Sequence, residues 1–231
     1  MTKTCRRRRP NCDPEITRIR MIRLAAAVMR VRASAVDMQL RATTTIMVDD
    51  ELVMRPANTT YTRDLLEAFE ETWPEVSRAM PWILPENEIE PQIADFLDET
   101  ERTGRVGRMH HWVLIRPWDE AVLGLLGFDR ITRSAEAEWN LGYWVRSSEQ
   151  RRGVAGRAIE AALRWLGDLE TVSVELKVDP NNAPGKRTVE RTVRQWGGSR
   201  CVTGDSAITV AGVRTPHECH LISIGPDTGP L

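Results

Sequence analysis

Hydrophobic residues recur along the chain at two spacings, which alternate from about residue 48 to the end. Residues 51–56 predict a short strand that ends at a proline, and Thr60 opens a helix. The apolar face of that helix consists of Leu65, Leu66, Phe69 and Trp73. A second helix is predicted from about Glu88 to Arg102, with the apolar face Ile89, Ile93, Phe96 and Leu97. A strand followed by two helices therefore begins the fold.

The middle of the chain predicts three strands in series, at residues 111–115, 122–128 and 137–145. Polar turns separate these strands, so they are expected to form an antiparallel meander. The rest of the chain predicts a helix at about 152–166, a strand at 171–178, a helix at 184–196 and strands near 201–210 and 218–224. This order predicts a mixed α+β fold, with a mostly antiparallel sheet of about six to seven strands flanked by about four helices.

Composition limits the size and class of the protein. The 231 residues, of which 41% are hydrophobic, are enough for one domain with a full core. No apolar run approaches the roughly 18 residues of a membrane-spanning helix. The longest short run, residues 24–29, lies between Arg23 and Arg30. A soluble protein with no membrane partner is expected.

The net charge of −1 is the sum of two opposite parts. Residues 1–46 hold one Lys and ten Arg against three acidic residues, whereas the remainder holds 21 basic and 30 acidic residues. We interpret residues 1–46 as an Arg-rich, largely disordered or weakly helical extension and residues 47–231 as the folded domain. The extension has the composition of a mitochondrial-type presequence, of an arm that binds polyanions, or of sequence upstream of a start at Met21, Met38 or Met47. Contact with nucleic acid is expected only through this extension.

The chain has four cysteines: Cys5, Cys12, Cys201 and Cys219. They form no Cys-x-x-Cys pair, which excludes the common zinc and thioredoxin spacings, so reduced thiols in the cytosol are expected. His217, Cys219 and His220 lie close in sequence, but their apolar surroundings predict one strand. Since a fourth ligand at zinc spacing is missing, no metal site is expected there.

Residues 140–158 combine the end of a predicted strand, a polar turn and the start of a helix. The pattern Gln150-x-x-Gly153-x-Ala155 places small residues where backbone N–H groups at the start of a helix point outward. The helix N-terminus contributes about half a positive charge. Three side chains add full charges: Arg151, Arg152 and Arg157. This combination favours a pyrophosphate group as ligand.

Two other phosphate-binding motifs are excluded. A Walker A loop fails because Gly185-Lys186 is followed by Arg187 and Pro180 occupies the place of its first glycine. A Rossmann fingerprint fails because only Gly153-x-x-Gly156 is present, after strands that predict antiparallel pairing. A glycine-rich turn with solvated arginines remains the purely structural alternative.

Four segments, in order, resemble the GNAT N-acetyltransferases, in particular the RimJ/RimL-like branch, over about residues 50–224. The first two are Leu52-Val53-Met54-Arg55-Pro56 and Met80-Pro81-Trp82. The third is Leu141-Gly142-Tyr143-Trp144-Val145 followed by Gln150 to Ala155, and the fourth is the turn Val178 to Ala183. The resemblance implies a GNAT fold in which the strands at 136–145 and 171–179 splay apart and acetyl-CoA enters between them.

The resemblance also implies which residues contact acetyl-CoA, the expected co-substrate. Backbone groups of residues 143–145 would pair with the pantetheine arm and polarise the thioester carbonyl, and the N–H groups of residues 151–156 would hold the pyrophosphate. The implied cofactor-binding residues are Tyr143, Trp144, Val145, Gln150, Arg151, Arg152, Gly153, Val154, Ala155, Gly156 and Asn182. A substrate amine would attack the acetyl carbon directly in a ternary complex, without a metal.

The catalytic positions depart from the pattern of this branch. Asn140 stands where the branch commonly carries an acid, and Glu138, on the same face of the strand, could act through a water. Gly185 replaces a common serine that protonates the leaving thiolate, and Thr188 and Tyr143 are candidate substitutes. The predicted catalytic residues are therefore Glu138, Asn140, Tyr143 and Thr188.

The resemblance implies an acetyl-CoA-dependent N-acetyltransferase that is cytoplasmic, is a monomer or homodimer, and acts on a protein or peptide N-terminus or a small amine. Its acceptor pocket would lie between the first two helices, near Trp73, Trp82, Trp112 and Trp118. Acidic residues of this region would attract a cationic amine. Because the acid before the Gly-Tyr-Trp run and the serine are both absent, a GNAT-fold module that binds acyl-CoA without catalysis is the alternative function.

Overall fold

The computed structural model describes residues 42–78, 80, 82–131, 136–202, 205–210 and 213–230. The predicted Arg-rich extension lies outside the described residues up to position 41. Residues 42–45 precede the first strand and contact the rest of the domain. Thr44 accepts a hydrogen bond from Trp112 Nε1 at its carbonyl oxygen (2.7 Å) and from Trp165 Nε1 at its hydroxyl (3.0 Å).

The described residues form nine strands and four α-helices. The strands are β1 (Ile46–Asp49), β2 (Leu52–Pro56), β3 (Met109–Arg116), β4 (Ala121–Arg130), β5 (Trp139–Val145), β6 (Val172–Val178), β7 (Ser199–Arg200), β8 (Ser206–Val210) and β9 (Val213–Ile224). The helices are α1 (Thr62–Glu71), α2 (Ile89–Gly104), α3 (Val154–Leu169) and α4 (Ala183–Gln195). No helix in the described part of the chain is long and apolar enough to cross a bilayer.

The strands make one sheet in the order β1-β2-β3-β4-β5-β6-β9-β7, with β8 paired to β9. Among the described strand pairs, only β5 and β6 run parallel, so the predicted mostly antiparallel α+β fold is confirmed. The sheet has more strands than expected because β1 and β7 are too short to show a period. The strand predicted at 201–210 is shorter, because β8 begins at Ser206, directly after the ion pair of Asp205 with Arg200.

The helices cover both faces of this sheet. Helices α1 and α2 pack on one face, which we call the α1/α2 face, where Val113, Leu125 and Trp144 join their apolar residues in one core cluster. Helices α3 and α4 contact β5, β6 and β9. Trp165 of α3 packs edge-on against Trp112, and neighbouring strand residues point to opposite faces, so α3 covers the face opposite Val113. The apolar core therefore fills both sides of the sheet.

The prediction of reduced thiols is wrong for the two described cysteines. Cys201 and Cys219 form a disulfide bond with Cα atoms 5.4 Å apart. The pairing of Arg200 with His220 puts the two cysteines opposite each other, and Cys201 donates its N–H to the Cys219 carbonyl (3.0 Å). Because 18 residues separate them in sequence, only the strand register brings them together. Among the described residues, no group of three or more His, Cys, Asp or Glu is placed to hold a metal ion.

His110 is a buried polar residue of β3 that ties the segment before β1 to the core. Its side chain is 2% exposed, contacts Trp139 and Trp165, and shares a hydrogen bond with the Thr43 hydroxyl (2.9 Å). Burial, together with the positive charges of His111 and Arg130, lowers the pKa of His110 to about 4. The folded protein therefore holds this imidazole neutral.

Stability should fall in acid because of this histidine. The unfolded chain binds a proton near the ordinary pKa of about 6.5, so stability is lost as the pH falls from there towards 4. We expect the free energy of unfolding to drop by about 2 kcal/mol more in the wild type than in His110→Gln between pH 7 and pH 4.5. Urea denaturation of both proteins at the two pH values measures this difference. An equal drop in both would show that His110 does not carry the acid sensitivity.

Candidate functional site

Strands β5 and β6 diverge, as the resemblance to the GNAT fold implies, and this divergence opens a cleft in the sheet. They pair at three positions, and the last pair is Leu141 with Leu176. Beyond it β5 continues beside β4 alone, while β6 continues beside β9. Within the described chain, no strand pairs with the β6-facing edge of residues 142–144. A Cβ on Gly142 would meet nothing within 4 Å, so the sheet face next to this unpaired edge is open as well.

The turn after β5 leads directly to the N-terminus of α3. Arg151 and Gly153 both have positive φ values, 65° and 77°, and together they turn the chain into the helix. Gly153 caps α3 without a side-chain hydrogen bond, and the first helical turn contains no acidic residue. A Cβ on Gly153 or on Gly156 would meet nothing within 4 Å. The first N–H groups of α3 therefore face open space with the positive end of the helix dipole behind them.

Polar side chains from two other elements fix this turn. Glu71, at the end of α1, accepts hydrogen bonds from the Ser148 N–H (2.7 Å) and from Arg146 Nε (2.8 Å). Burial raises the pKa of Glu71, but these two donors outweigh it and leave the pKa below its ordinary value. Arg116 of β3 donates to Glu149 (2.8 Å). The turn is thus held from α1 and from the sheet.

The arginines near the turn do not all face it. Arg157 points to the β1–β2 turn, where it lies 3.4 Å from Asp49 and 3.1 Å from Glu51. Its charge is largely neutralised there, which differs from the expectation that all three arginines add charge to the site. Arg152 is 64% exposed and 3.4 Å from Glu149. Arg151 is exposed, and Gln150 donates its side-chain N–H to the Val145 carbonyl (3.1 Å).

Asn182 begins α4 on the other side of the cleft. Its Oδ1 accepts a hydrogen bond from the Gly185 N–H (2.9 Å), so it caps this helix. A Cβ on Gly185 would lie 2.7 Å from Asn182 Nδ2. A serine at 185 would therefore require the Asn182 side chain to move, so the glycine and the cap belong together.

Tyr143 and Thr188, the two predicted substitutes for the missing serine, lie close together. Tyr143, on β5, and Thr188, on α4, lie close enough for the Thr188 hydroxyl to influence the phenol. Thr188 donates a hydrogen bond to the Pro184 carbonyl (3.2 Å). Burial raises the pKa of Tyr143, and the neighbouring Thr188 hydroxyl offsets part of that rise. The phenol is therefore protonated at neutral pH and lies beside the unpaired edge of β5.

Glu138 and Asn140, the two residues predicted near the family's acid position, lie in different surroundings. Glu138 precedes β5, is exposed, and accepts a hydrogen bond from the Ser173 N–H (2.7 Å). It is four residues from Gly142, roughly 13 Å along an extended strand. Asn140 lies next to the cleft, paired with Asp129 on β4 and with Glu175 on β6.

Sequence reasoning missed a contact between a carboxylate and an imidazole beside Asn140. Asp129 Oδ1 lies 3.2 Å from His111 Nε2, and the Nδ1 of the same ring is 3.2 Å from the Thr100 hydroxyl. The Asn140 side chain is close enough to Asp129 to help lower the pKa of its carboxyl. The available signal was an imidazole at the start of the predicted strand 111–115 and a carboxylate directly after the predicted strand 122–128.

An apolar recess lies on the α1/α2 face. It is shallow, with a volume of about 10 Å³ that is enough for one water-sized group, and its walls include Leu65, Phe69, Trp82, Phe96 and Trp144. Of the four tryptophans expected near an acceptor pocket, only Trp82 lines this recess. Trp112 is fully buried, whereas Trp73 and Trp118 are 41% and 63% exposed.

Comparison with known proteins identifies the family to which the chain belongs. The profile of the acetyltransferase (GNAT) domain matches residues 51–192. The chain belongs to the GNAT acetyltransferase family. It is accordingly an acetyl-CoA-dependent acetyltransferase, with acetyl-CoA as co-substrate, which confirms these two predictions. Among curated proteins, no sequence relative is found.

Several solved structures share the GNAT fold of this chain at low sequence identity. The Microcin C7 self-immunity acetyltransferase MccE, in complex with acetyl-CoA and AMP, is 16% identical with a TM-score of 0.65, over 80% of this chain and 99% of its own. The ribosomal-protein-S5-alanine acetyltransferase of Vibrio fischeri is 14% identical with a TM-score of 0.62, over 80% and 99%. Mycobacterium smegmatis RimJ, in complex with CoA-disulfide, is 20% identical with a TM-score of 0.55, over 74% and 81%.

The contact between Glu71 and the Ser148 turn generates a prediction for this GNAT protein. Glu71→Gln keeps the size of the side chain but removes the charge that holds both Arg146 and the Ser148 N–H. We expect acetyl-CoA binding to weaken by about 3- to 10-fold, because charge-assisted hydrogen bonds of this kind contribute about 1 kcal/mol or slightly more. Isothermal titration calorimetry measures it.

Glu70→Gln is the matched control, since Glu70 is the exposed neighbour of Glu71 on α1. Equal affinity of the two variants for acetyl-CoA would contradict a role of α1 in fixing the turn.

Proposed function

We propose that this GNAT protein transfers the acetyl group of acetyl-CoA to a primary amine by direct attack in a ternary complex. The acceptor is a protein or peptide N-terminus or a small amine. One observation carries the proposal: the unpaired edge of residues 142–144 leads without interruption to the open N-terminus of α3. An extended ligand with an anionic end and amide groups along its length fits this path.

The residues present fit the parts of acetyl-CoA. The N–H groups of residues 151–156 would hold the pyrophosphate, because no side chain of the Gly153 cap accepts their hydrogen bonds and the first helical turn lacks acidic residues. The free edge of residues 142–145 would pair with the amides of the pantetheine arm. Asn182, at the start of α4, lies across the cleft from that edge and would contact the arm.

Tyr143 and Thr188 supply the proton that the leaving group needs. As the amine nitrogen bonds to the acetyl carbon, the carbon–sulfur bond breaks and leaves a thiolate. We assign its protonation to the Tyr143 hydroxyl, with Thr188 orienting it, since burial keeps this phenol protonated. The amine attacks in its neutral form, so its ammonium proton passes to solvent first. The nitrogen loses one further proton to solvent as the amide forms, and the Tyr143 phenolate takes a proton back from solvent. The proposal does not use Glu138, whose carboxylate is bound to the Ser173 N–H.

The names of structurally similar proteins support a protein amine as acceptor and a cytoplasmic location. One is a ribosomal-protein-S5-alanine acetyltransferase and another is a ribosomal L7/L12 alpha-N-protein acetyltransferase. Disulfide bonds are rare in cytosolic proteins, so the Cys201–Cys219 bond is the observation that bears against this location. Trapping thiols in intact cells with iodoacetamide, followed by mass spectrometry, tests the location: a fully alkylated pair supports it.

The alternative, an acyl-CoA-binding module without catalysis, is favoured by the two departures at Asn140 and Gly185. Two measurements on the full-length chain separate it from the enzyme. Thermal unfolding with CoA, acetyl-CoA and ATP should show a rise in Tm with both CoA species and none with ATP. Release of free thiol from acetyl-CoA in the presence of an amine panel then distinguishes an enzyme from a module that only binds.

A charge at the start of α3 should oppose the pyrophosphate. We expect Gly153→Asp to weaken CoA binding by at least 30-fold and Arg151→Glu to weaken it by about 10-fold, since each places a carboxylate against an anionic group. Gly153→Asn is the matched control, because it has the same size and the same strain at a positive φ but no charge. Calorimetric titration with CoA gives the three affinities. Equal affinities of the Asp and Asn variants would refute the pyrophosphate assignment.

The proton-donor assignment predicts a selective loss of turnover. Tyr143→Phe should lower kcat by about 10- to 100-fold while changing the KM for acetyl-CoA less than threefold, because the ring stays in place and only the hydroxyl is lost. Thr188→Val should lower kcat by a smaller factor. Initial rates of thiol release at saturating amine measure both. An unchanged kcat in Tyr143→Phe would remove the phenol from the mechanism.

A further inference from the structure

Three polar residues stand side by side on the α1/α2 face of the sheet: Asp129, Asn140 and Glu175. They belong to β4, β5 and β6, and the register pairs Asp129 with Asn140 and Asn140 with Glu175. Residues paired in this way present their side chains to the same face. Trp144 and Leu125 are paired four residues further along the same two strands, and both belong to the core cluster under α1 and α2. We call Asp129, Asn140 and Glu175 the polar row.

The polar row lies where the cleft begins. The last pair before β5 and β6 diverge is Leu141 with Leu176, one residue beyond Asn140 and Glu175. Gly142, the next residue of β5 on the α1/α2 face, leaves open space where a side chain would be. A group that approaches from this face therefore reaches the inner end of the cleft past Asn140 and Gly142.

The two carboxylates of the polar row differ in availability. Glu175 is 6% exposed and pairs with the Lys177 ammonium. Asp129 has a side chain that is 46% exposed, although its surroundings are crowded. Burial raises the pKa of Asp129, but the His111 charge and the hydrogen bonds from His111 and Asn140 leave it below its ordinary value. Asp129 is thus an ionised carboxylate that a ligand can reach.

His111, on the neighbouring strand β3, holds the Asp129 side chain in position. The His111 ring is 6% exposed and lies over Gly127, where a Cβ would overlap the ring. Its two nitrogens contact Asp129 and the Thr100 hydroxyl, each at 3.2 Å. A glycine in the middle of β4 therefore makes room for an imidazole that orients this carboxylate.

Aromatic rings connect this carboxylate to the apolar recess. Phe96 stacks on His111 with centroids 5.1 Å apart, and Trp82 stacks on Phe96 at 4.4 Å. Both rings are walls of the recess. Trp144, a third wall, is 6% exposed, and its Nε1 has no hydrogen-bond partner among the described residues. This nitrogen is fully buried and gives the recess no polar surface, so the recess offers a ligand apolar contacts alone.

We propose that Asp129 binds the ammonium group of the acceptor amine, taking from β4 the place that an acid at position 140 would take from β5. The acceptor carries an apolar group next to this ammonium, which lies along Phe96 and Trp82, the rings stacked next to His111. An N-terminal apolar residue of a peptide has both features. This inference rests on the proposed acetyltransferase function, since it names the acceptor class of that same site.

A cross-strand exchange of the carboxylate tests the assignment. The acceptor panel is twenty tripeptides of the form Xaa-Gly-Gly together with 2-phenylethylamine and spermidine, and the assay is thiol release from acetyl-CoA by the full-length chain. With the best acceptor, Asp129→Asn should raise the amine KM or lower kcat/KM by about 10- to 100-fold while the Kd of acetyl-CoA is unchanged. Asp98→Asn, on an exposed position of α2, is the matched control and should behave as wild type.

The double variant Asp129→Asn with Asn140→Asp returns the carboxylate to β5, on the same face and one strand away. It should recover at least tenfold of the lost kcat/KM, because paired positions have Cβ atoms about 5 Å apart. The unchanged Kd of acetyl-CoA in Asp129→Asn shows that the single variant is folded. Wild-type activity in Asp129→Asn, or no recovery in a double variant that binds acetyl-CoA normally, would overturn the role of Asp129.

The panel itself tests the acceptor class. Tripeptides that begin with Leu, Met or Phe should exceed those that begin with Gly, Asp or Lys by at least tenfold in kcat/KM, as expected for burial of one apolar side chain. A flat profile, or a preference for spermidine, would overturn the apolar part of the inference. Thiol release with no amine at all, despite a rise in Tm with CoA, would instead mean that the proposed catalytic function has failed.

Discussion

The functional architecture depends on one interruption of backbone pairing, the divergence of β5 and β6 after Leu141 and Leu176. Unpaired strand edges inside a sheet are unfavourable, since buried N–H and C=O groups need partners. Here the remaining pairs compensate: β5 is paired with β4 along its whole length, and β6 is paired with β9 along all seven of its residues. The sheet therefore stays intact around a gap that exposes peptide groups to a ligand. A linear cofactor with its own amide groups can complete the pairing that the protein leaves open.

The same interruption explains why the anion site must come immediately after β5. A ligand that pairs with residues 142–144 extends past Val145 to the turn at residues 146–153, so its anionic end meets the N-terminus of α3. The turn has to be stiff, because a movement of about 1 Å would break hydrogen bonds to both ends of such a ligand. Glu71 of α1 and Arg116 of β3 supply this stiffness from elements that also surround the acceptor side. Cofactor and acceptor positions are thus defined by one connected set of contacts.

Local pattern in the sequence predicted the helices, the central strands and the turn with Gln150 and Gly153, because each depends on residues close in the chain. The contacts that determine the chemistry could not be predicted from local pattern, because they join residues that are far apart in the chain. The proximity of Tyr143 and Thr188 depends on how α4 lies on the sheet, although both residues were candidates. The His111–Asp129 pair and the Cys201–Cys219 bond depend on strand register, which one sequence does not specify. Short strands such as β7, with two residues, carry no period at all.

Asn140 and Gly185 depart from the family pattern, but residues on neighbouring elements can supply the groups that these two positions lack. On a sheet face, a side chain on one strand and its registered partner on the next are about 5 Å apart, which is less than the length of a carboxylate side chain and a bound ammonium together. A carboxylate on β4 or on β5 can therefore reach the same bound ammonium group, provided that its orientation is fixed. For Asp129, Gly127 leaves room for the His111 ring, which fixes that orientation. The same reasoning applies on the opposite face, where the phenol of Tyr143 and the hydroxyl one helical turn after Gly185 occupy the side of the cleft that a serine at 185 would face. What is retained in such a site is the position of a charge or a proton relative to the open edge of β5, and several residues of the surrounding sheet can provide it.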